Sequence, residues 1–444
     1  MEEVSVHVLR EKEPFSLAFT DDELRFTAEK YGTPIYLIDE KTLIEKVREL
    51  QEAYKAFLGN VRIAYSIKSN FNPFLLQTFM RLNLLFDIAS LGELYFINRL
   101  NGNPENLIYT SVTETFEEFL YAIDKGLRRF VVASYHGVNN LIRASEVTNT
   151  KLKAMIRINP QVNVKAYVRA SFRHGKFGVP FNSSTRDSTL VILREIIKSK
   201  NLIFEGFHFH LGSQITDTSS FIATLDKIEN FMIKARKEFP NLCINTLDIG
   251  GGTPVCYDEP VPTAEEMAKP IVNKLNMLSN YYSERPSLII ESGRFLAAES
   301  GIMLSKVLNV KEFEGEKYLY LDSGYHLLLD SVLVRQNYPV RVIGKRGREG
   351  NGSKIHLAGI FCDSSDVFHF SPLSEINGAD VGDYIAFYKV GAYSIVFNLP
   401  FHCQVKPPIL FKDKDGNLKL ARKKESIEDL FEEEGGYLAL RDET

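Results

Sequence analysis

Short apolar runs alternate, between about residue 60 and residue 292, with longer stretches in which apolar positions recur every three or four residues. Short runs rich in β-branched and aromatic residues are typical of buried strands, and the longer pattern is typical of amphipathic helices. The short runs are VRIAYSI (61–67), LLFDIA (84–89), LIYTS (107–111), RFVVAS (129–134), KAMIRIN (153–159), FEGFHFHL (204–211), NTLDIG (245–250) and SLIIES (287–292). Helical stretches between them include NPFLLQTFMRLN (72–83), TFEEFLYAIDKG (115–126) and FIATLDKIENFMIKARKEF (221–239).

This alternation predicts an α/β fold with a parallel sheet. Eight strand–helix units in a block of about 250 residues are the number that a (β/α)8 TIM barrel requires. A doubly wound open sheet alternates strands and helices in the same way, and the number of strands does not separate the two folds. We expect the barrel and keep the open sheet as the alternative.

The pattern changes after Arg294, where apolar runs follow one another with turns and few helices. These runs are IMLSKVLNV (302–310), KYLYLDS (317–323), PVRVIG (339–344), KIHLAG (354–359) and YIAFYKV (384–390). Consecutive strands joined by turns predict an antiparallel β domain. We therefore predict a barrel over residues 36–293, and a β-sandwich or β-barrel-like domain formed by residues 294–444 together with residues 1–35.

Composition, charge and cysteine content narrow the class of protein. The 444 residues include 53 Lys+Arg and 57 Asp+Glu, a formal charge of −4, with 44% hydrophobic residues, as in a globular protein. The near-neutral balance argues against nucleic acid as a partner, and no apolar run reaches the ~20 residues that a membrane span needs. The start, MEEVSVHVLREKEPF, has no signal-peptide core. The cysteines are scattered and form no CxxC pair: Cys243, Cys256, Cys362 and Cys403. We therefore expect reduced thiols in a cytoplasmic protein.

The C-terminal ends of the predicted strands hold the candidate chemistry, because catalytic groups of a (β/α)8 barrel lie there. These ends are Lys68, Asp87, Ser111, Ser134, Arg157, His210, the Gly250–Gly252 turn and Glu291. A polar residue at a strand end is, taken singly, more often structural than functional. A lysine, a histidine, an arginine, a triple glycine and a glutamate on one ring together form a candidate active site.

Lys68 and the DIGGG segment each have a structural and a functional interpretation. Lys68 follows an apolar run, where a lysine is more often simply solvated. A partly desolvated ammonium, however, loses its proton more readily and can form a Schiff base. DIGGG can be a tight turn, or its glycines can let backbone N–H groups approach a phosphate because no Cβ intervenes. The GxGxxG pattern of nicotinamide-binding folds is absent from the sequence.

HFHLGSQ and ESGR add further candidate groups. His208 and His210 alternate along one strand and could bind a metal, yet no further ligand motif such as HExxH accompanies them. We therefore predict no metal, and favour His210 stacking on a planar ring with Ser213 on an anion. Glu291 and Arg294 form either an ion pair at a domain junction or a pair that binds a protonated ring nitrogen and a phosphate or carboxylate.

As a set, these segments resemble the fold-type III pyridoxal-phosphate decarboxylases, the group of diaminopimelate, ornithine and arginine decarboxylases, whose barrel is related to that of alanine racemase. The resemblance extends in family order from about residue 30 to residue 405, through YSIKSN, FDIASLGEL, IRINP, GKFGVPF, HFHLGSQITD, DIGGG, ESGRF, CDSSDVF and GAY. HFHLGSQ and SSDVF are most similar to the diaminopimelate branch. The resemblance implies pyridoxal 5'-phosphate as cofactor and decarboxylation of a basic or diamino acid, or of a modified derivative.

The resemblance also implies roles for individual residues. Lys68 is then the lysine that binds the cofactor covalently, and His210 stacks on the pyridoxal ring. Glu291 faces the ring nitrogen, and Cys362 returns a proton to the substrate. Further cofactor-binding residues are implied at Asp87, Arg157, Ser213, Gly251, Gly252, Arg294 and Tyr393.

The CDSSD segment comes from the partner subunit in this family, so the resemblance implies a homodimer with shared active sites. Asp363 would then meet the distal amine of a small amino-acid substrate. Other substrate contacts are implied at Arg294, Tyr393, Asp330 and Arg335.

Two segments depart from the diaminopimelate decarboxylase pattern. Those enzymes carry Arg-Pro after a DxGM segment to hold the distal carboxylate, and here Asp330-Ser331 stands in that place, with Arg335 five residues on. Their tyrosine after GAYG is replaced by Phe401. We therefore expect a substrate with a distal amine, or a modified one, to be preferred over diaminopimelate. The sequence leaves open whether Asp330 or Arg335 faces the site.

Two alternatives remain within this resemblance. The racemase relatives carry an arginine where this chain has Glu291, and a glutamate favours decarboxylation because it keeps the ring nitrogen protonated. A catalytically inactive regulator related to the decarboxylases is the other alternative, but it would not need Lys68, His210 and Cys362 together with that glutamate.

Overall fold

The computed structural model describes residues 18–343, 352–372 and 374–441. The described chain divides into two compact units, of which the first comprises Ile44–Pro254 and Pro262–Leu296. The second takes in the described residues of Met1–Leu43, Val255–Val261 and Ala297–Thr444. Residues 1–17 of the predicted N-terminal segment lie outside the described residues, and the domain boundaries predicted from the sequence stay a prediction.

The strands are, in chain order, β1 (Ile35–Asp39), β2 (Asn60–Ser66), β3 (Leu85–Ile88), β4 (Leu107–Tyr109), β5 (Arg129–Val132), β6 (Leu152–Arg157), β7 (Ala166–Arg169), β8 (Leu202–His208), β9 (Gly212–Ile215), β10 (Ile244–Asp248), β11 (Tyr282–Ser292), β12 (Gly301–Phe313), β13 (Glu316–Leu321), β14 (Val340–Ile343), β15 (Lys354–Ala358), β16 (Val367–Phe368), β17 (Tyr384–Tyr388), β18 (Ile409–Lys412) and β19 (Leu418–Arg422). The α-helices are α1 (Asp21–Tyr31), α2 (Glu40–Tyr54), α3 (Pro73–Arg81), α4 (Leu91–Arg99), α5 (Phe116–Asp124), α6 (Tyr135–Val147), α7 (Thr189–Lys198), α8 (Ser219–Glu238), α9 (Ala264–Met277), α10 (Arg294–Ala297), α11 (Asp330–Leu333), α12 (Ile427–Glu433) and α13 (Gly436–Arg441). Within these described ranges, no helix combines the length and the apolar character that crossing a membrane would require.

The first unit is a closed parallel barrel of eight strands, as the sequence predicts. The strands β2, β3, β4, β5, β6, β8, β10 and β11 follow one another round the barrel, and β11 pairs with β2 to close it. This closure excludes the open doubly wound sheet. Each barrel strand corresponds to one of the eight apolar runs. Apolar residues are continuous in these runs, and do not alternate with polar ones, because helices cover the outer face of the barrel and side chains fill its interior.

A cluster of apolar side chains fills part of the barrel interior. Its members come from six of the strands and are all buried: Ala64, Leu85, Ile108, Val131, Met155 and Ile289. Polar residues cap the helices that follow the strands. Ser90, Thr115 and Ser134 each accept a backbone N–H from the first turn of the next helix, which stabilises a helix start by about 1 kcal/mol. The strand ends and helix starts therefore carry polar side chains to one end of the barrel.

The second unit is built on a nine-stranded sheet with the order β16-β15-β13-β12-β1-β18-β19, in which β17 pairs with both β12 and β14. Most neighbours are antiparallel, and the pairs β1–β18 and β13–β15 are parallel. The buried core of this unit includes Leu37, Ile302, Leu304, Tyr388 and Leu410, which lie on one face of the sheet. The C-terminal sheet that the sequence predicts is thus confirmed.

Candidate active site

Lys68 lies in a short 3-10 turn, Ile67–Ser69, directly after β2. Its Nζ is 3.4 Å from Oδ2 of Asp87, which is buried on β3. Burial raises the pKa of Asp87, but attraction by the Lys68 ammonium and a hydrogen bond from Thr110 Oγ1 outweigh it, so this pKa lies below its usual value. Asp87 is therefore a fixed negative charge that holds the lysine at the mouth of the barrel.

His210 follows the end of β8 and is held in place by the backbone of the glycine turn. The N–H of Gly251 donates to His210 Nδ1 over 3.0 Å, so the hydrogen of the neutral ring is on Nε2. Burial, together with the nearby Lys68 ammonium, lowers the pKa of His210 to about 3. At neutral pH the residue therefore presents an uncharged, oriented imidazole.

The glycine turn after β10 lies against backbone on both sides. A Cβ at Gly251 would stand 2.5 Å from the carbonyl oxygen of Glu291, and one at Gly250 would stand 2.4 Å from the carbonyl oxygen of Phe209. Gly250 and Gly252 also have positive φ values of 66° and 116°, which glycine adopts without strain. Close packing therefore excludes side chains from this turn.

Glu291, buried near the end of β11, is paired with another buried side chain. Its Oε1 is 3.0 Å from His208 Nε2, and its Oε2 is 4.0 Å from Nδ1 of His210. Asp248 lies in the same cluster and accepts the N–H of Gly250 over 2.9 Å. Burial, then repulsion by Glu291, raises the pKa of Asp248 well above its usual value. Glu291 is thus a buried carboxylate with Oε1 within hydrogen-bond distance of His208 and Oε2 on the side of His210.

His208, Asp248 and Glu291 could also be considered as metal ligands. Each offers one ligand atom, and these atoms lie within 4.8 Å of one another. Nε2 of His208 is, however, already within hydrogen-bond distance of Glu291. The prediction that no metal is bound stays a prediction.

Two further cationic groups of the barrel lie near this site. Arg294 Nε donates to Ser213 Oγ over 3.3 Å, which links the start of α10 to β9. Arg157, at the end of β6, stacks its guanidinium on the ring of Phe177 at 4.7 Å, and burial lowers its pKa. The barrel therefore brings together Lys68, Asp87, Arg157, His210, Ser213, Gly251, Gly252, Glu291 and Arg294.

The CDSSD loop belongs to the second unit, where Asp366 organises it. The buried carboxylate of Asp366 accepts the N–H of Phe361 over 2.8 Å and that of Tyr325 over 2.7 Å, and burial raises the pKa of Asp366 to about 6. Cys362 is exposed. Asp363 accepts the N–H of Ser365 over 2.8 Å and the hydroxyl of Tyr325 over 3.1 Å. These hydrogen bonds, with that of Ser365 the strongest influence, lower the pKa of Asp363. The loop thus presents a thiol and a carboxylate outward.

The remaining candidate residues also lie in the second unit. Asp330 is buried at the start of α11, whereas Arg335 is exposed and has a φ of 51°. Tyr393 is partly buried, with a φ of 54°. The ring of Phe401 lies 5.0 Å from that of Phe361, so it packs beside the loop that carries Cys362.

The barrel residues fit pyridoxal phosphate. Lys68 supplies an amine, Glu291 a buried carboxylate that can face a ring nitrogen, and His210 an uncharged ring that can stack. The glycine turn has no room for a side chain, and Ser213 and Arg294 can act as donors to a phosphate.

Some site residues were missed by reasoning from sequence. Thr110 hydrogen-bonds Asp87, Glu114 is buried beside Ser134, and Asp248 lies next to Glu291. Asp248 had a visible signal, since an acid inside the apolar run NTLDIG is unusual. Thr110 and Glu114 had none, because each meets its partner only when distant strands come together.

Comparison with known proteins identifies the class. A family model described as "Pyridoxal-dependent decarboxylase, pyridoxal binding domain" matches residues 42–298. Because this stretch is more than half of the chain, the chain belongs to the pyridoxal-dependent decarboxylases, as the resemblance of its motifs implied. It is a carboxy-lyase that uses pyridoxal phosphate.

Within that family the chain is similar to diaminopimelate decarboxylases. It is 28% identical over 412 residues to that of Methanocaldococcus jannaschii, covering 91% of each chain, and 29% identical over 410 residues to that of Vibrio cholerae, covering 91% of this chain and 93% of the relative. The crystal structure of the M. jannaschii enzyme with L-lysine superposes with a TM-score of 0.83 at 27% identity, covering 92% of this chain and 93% of the other. That of the Helicobacter pylori enzyme, also with L-lysine, has a TM-score of 0.82 at 26% identity, covering 93% and 100%.

Proposed function

We propose that this enzyme decarboxylates a diamino acid with a free or modified distal amine, as a cytoplasmic homodimer with shared active sites. The observation that carries the proposal is the convergence of Lys68, His210 and Glu291 at the C-terminal end of one barrel. The relatives named above are diaminopimelate decarboxylases, and two of their structures hold L-lysine, which has a distal amine.

Bound pyridoxal phosphate would accept the electron pair that remains on the substrate when the carboxylate leaves. Lys68, held by Asp87, would bind the cofactor until a substrate amine replaces it. Glu291 would keep a proton on the ring nitrogen, which strengthens that acceptance. His210 would lie against the ring without competing for a proton, since its pKa is about 3.

Phosphate binding would fall to the glycine turn and its neighbours at the same end of the barrel. The backbone N–H of Gly252, the Ser213 hydroxyl and the Arg294 guanidinium are donors, and we propose that Tyr393 adds its hydroxyl. Arg157 would support the site through its charge, because Glu291 and Asp87 both interact with it electrostatically.

The CDSSD loop would act on the active site of the partner subunit. Cys362 is exposed and would return a proton to the substrate carbon after the loss of CO2. Asp363 keeps its negative charge, since hydrogen bonds lower its pKa, and would bind the distal ammonium of the substrate. A loop fixed by Asp366 can present both groups in a defined geometry.

Substrate choice would follow from what replaces the arginine of the diaminopimelate enzymes. Asp330 stands in that place and is buried, so no cation is offered there to a distal carboxylate. Arg335 is exposed and is the residue of this segment that could contact a substrate carboxylate. A distal carboxylate that has no cation to pair with loses about 2–5 kcal/mol of binding free energy. We therefore expect a substrate with a distal amine to be preferred over meso-diaminopimelate.

Released CO2 from a panel of substrates tests this proposal. We would measure kcat/KM for meso-diaminopimelate, lysine, ornithine and arginine with the wild type, with Asp363→Asn, and with Lys68→Ala as the background control. We expect a diamino acid without a distal carboxylate to be preferred, and Asp363→Asn to raise KM for it. A preference of tenfold or more for diaminopimelate would contradict the specificity, and chiral analysis of recovered substrate would detect a racemase.

A further inference from the structure

His208, Asp248 and Glu291 form a buried cluster on three adjacent barrel strands. Asp248 of β10 is the direct register partner of His208 of β8, and β10 also pairs with β11, which carries Glu291. Their relative exposures are 1%, 0% and 3%, so none of them faces solvent. Burying three ionisable side chains together is costly unless they satisfy one another.

The hydrogen bond between His208 and Glu291 gives the carboxylate of Glu291 a direction. His208 Nε2 lies 3.0 Å from Oε1, and the other oxygen, Oε2, lies 4.0 Å from the Nδ1 of His210. His210 is the residue that would stack on the cofactor. Oε1 of Glu291 is therefore hydrogen-bonded to His208, and Oε2 lies on the side of His210 and the cofactor site.

The surrounding charges act on Asp248, the third member of the cluster. Burial and the neighbouring Glu291 raise the pKa of Asp248, and Asp87 adds to that effect while Arg157 opposes it. The uncharged form of Asp248 is therefore favoured, which lessens its repulsion of the neighbouring Glu291 carboxylate. An ionised carboxylate only accepts hydrogen bonds, so across the 3.0 Å contact His208 Nε2 is the donor and Glu291 Oε1 the acceptor.

We propose that His208 is a positioning residue for Glu291. Its Nε2–H holds Oε1, which fixes the carboxylate with Oε2 towards the ring nitrogen of bound pyridoxal phosphate. This inference rests on the proposed role of Glu291 and extends it to a residue that touches neither cofactor nor substrate. A histidine that merely fills space would be replaceable by any side chain of its size.

Two amide substitutions separate positioning from filling. In His208→Gln the amide nitrogen reaches about the place of Nε2, whereas in His208→Asn it is one bond shorter and falls short of Glu291. Both are polar and of similar size, so they are matched controls for each other. We would measure the affinity of each folded variant for pyridoxal phosphate by fluorescence titration, and the pH midpoint of the visible absorbance of the bound cofactor.

His208→Gln should stay within about threefold of the wild type, while His208→Asn should bind pyridoxal phosphate about tenfold more weakly, as expected for one lost hydrogen bond to a buried charge. Its absorbance midpoint should rise by about one pH unit, because a misdirected Glu291 leaves the ring nitrogen less protonated, and the nitrogen that joins Lys68 to the cofactor then holds its proton more tightly. If His208→Asn does not fold, His208→Met, which fills the space without a donor, makes the same comparison with His208→Gln.

The same measurements in a Glu291→Gln background complete the test. Because His208 acts through Glu291, His208→Asn should have no further effect on the midpoint there. Equal affinities and midpoints for the donor and non-donor variants would overturn the positioning role while leaving the proposed function standing. A wild type that binds pyridoxal phosphate without attachment to Lys68 would overturn both.

Discussion

Glu291 lies buried near the end of β11, with His208 on one oxygen and His210 near the other. Substituting Gln removes the charge but keeps the shape. We expect Glu291→Gln to retain the cofactor and to lower kcat roughly hundredfold, which is typical of losing one preorganised electrostatic group. Single-turnover CO2 release measures the effect. An unchanged rate would show that Glu291 has only a structural role.

The residues at the strand ends were predictable because strand periodicity and barrel geometry together specify which side chains point to one end. Lys68, His210 and Glu291 could therefore be named from the sequence. Their partners could not, because the contact of His208 with Glu291 joins residues 83 positions apart. Whether Asp330 was buried was equally hidden, since a four-residue helix leaves no periodic pattern.

At the scale of elements, the glycine turn after β10 depends on Gly251 having no side chain. A Cβ there would stand 2.5 Å from the carbonyl oxygen of Glu291, which as backbone cannot move aside cheaply. We expect Gly251→Ala to lower the free energy of unfolding by about 1–3 kcal/mol and to weaken cofactor binding. Gly92→Ala in α4 is the control, because its Cβ would meet its nearest neighbour only at 3.7 Å. Denaturant unfolding measures the loss of stability in both variants. Equal losses in Gly251→Ala and Gly92→Ala would contradict this account.

The loop between β4 and α5 buries a carboxylate that gives the barrel a pH dependence. Glu114 accepts hydrogen bonds from Ala133 N–H and Ser134 Oγ, and burial raises its pKa from 4.5 to about 7. Between these values the folded state holds a proton that the unfolded state has released. The contribution of Glu114 to stability is therefore fully present below about pH 4.5 and is lost as the pH rises towards 7.

This reasoning predicts a flatter pH profile for Glu114→Gln. The wild type should lose up to about 3 kcal/mol of unfolding free energy between pH 5 and pH 8 through this group, and the variant should not. Glu117→Gln, an exposed position in the next helix, is the control and should keep the wild-type slope. Denaturant titrations at several pH values decide the matter, and parallel profiles for wild type and Glu114→Gln would refute it.

The barrel strands and the helices α3, α5 and α8 were predictable because their apolar patterns are long and regular. The arrangement of strands in the second unit was less predictable. Its sheet takes β1 from the N-terminal part of the chain and pairs it in parallel with β18, near the other end. Such pairing between distant segments has no local signal, so strand pattern alone could indicate the sheet but not its order.

For the whole molecule, the proposed exchange of the CDSSD loop between subunits predicts complementation. Lys68→Ala and Cys362→Ala homodimers should each be inactive. In a mixed dimer one of the two sites contains both native residues, so random mixing should restore about a quarter of wild-type sites. Activity measured across mixing ratios checks this, with each variant mixed with itself as control. No recovery in dimers shown to be mixed would place both residues in one subunit's site.

The attachment point of the cofactor tests the central claim most directly. Borohydride reduction of the enzyme carrying pyridoxal phosphate fixes the cofactor to the amine that holds it, and peptide mass spectrometry then locates the modified residue. We predict that the added mass is on Lys68, beside Asp87 at the end of the first barrel strand. A modification at another lysine, or none in a protein that still releases CO2 from its substrate, would contradict the account.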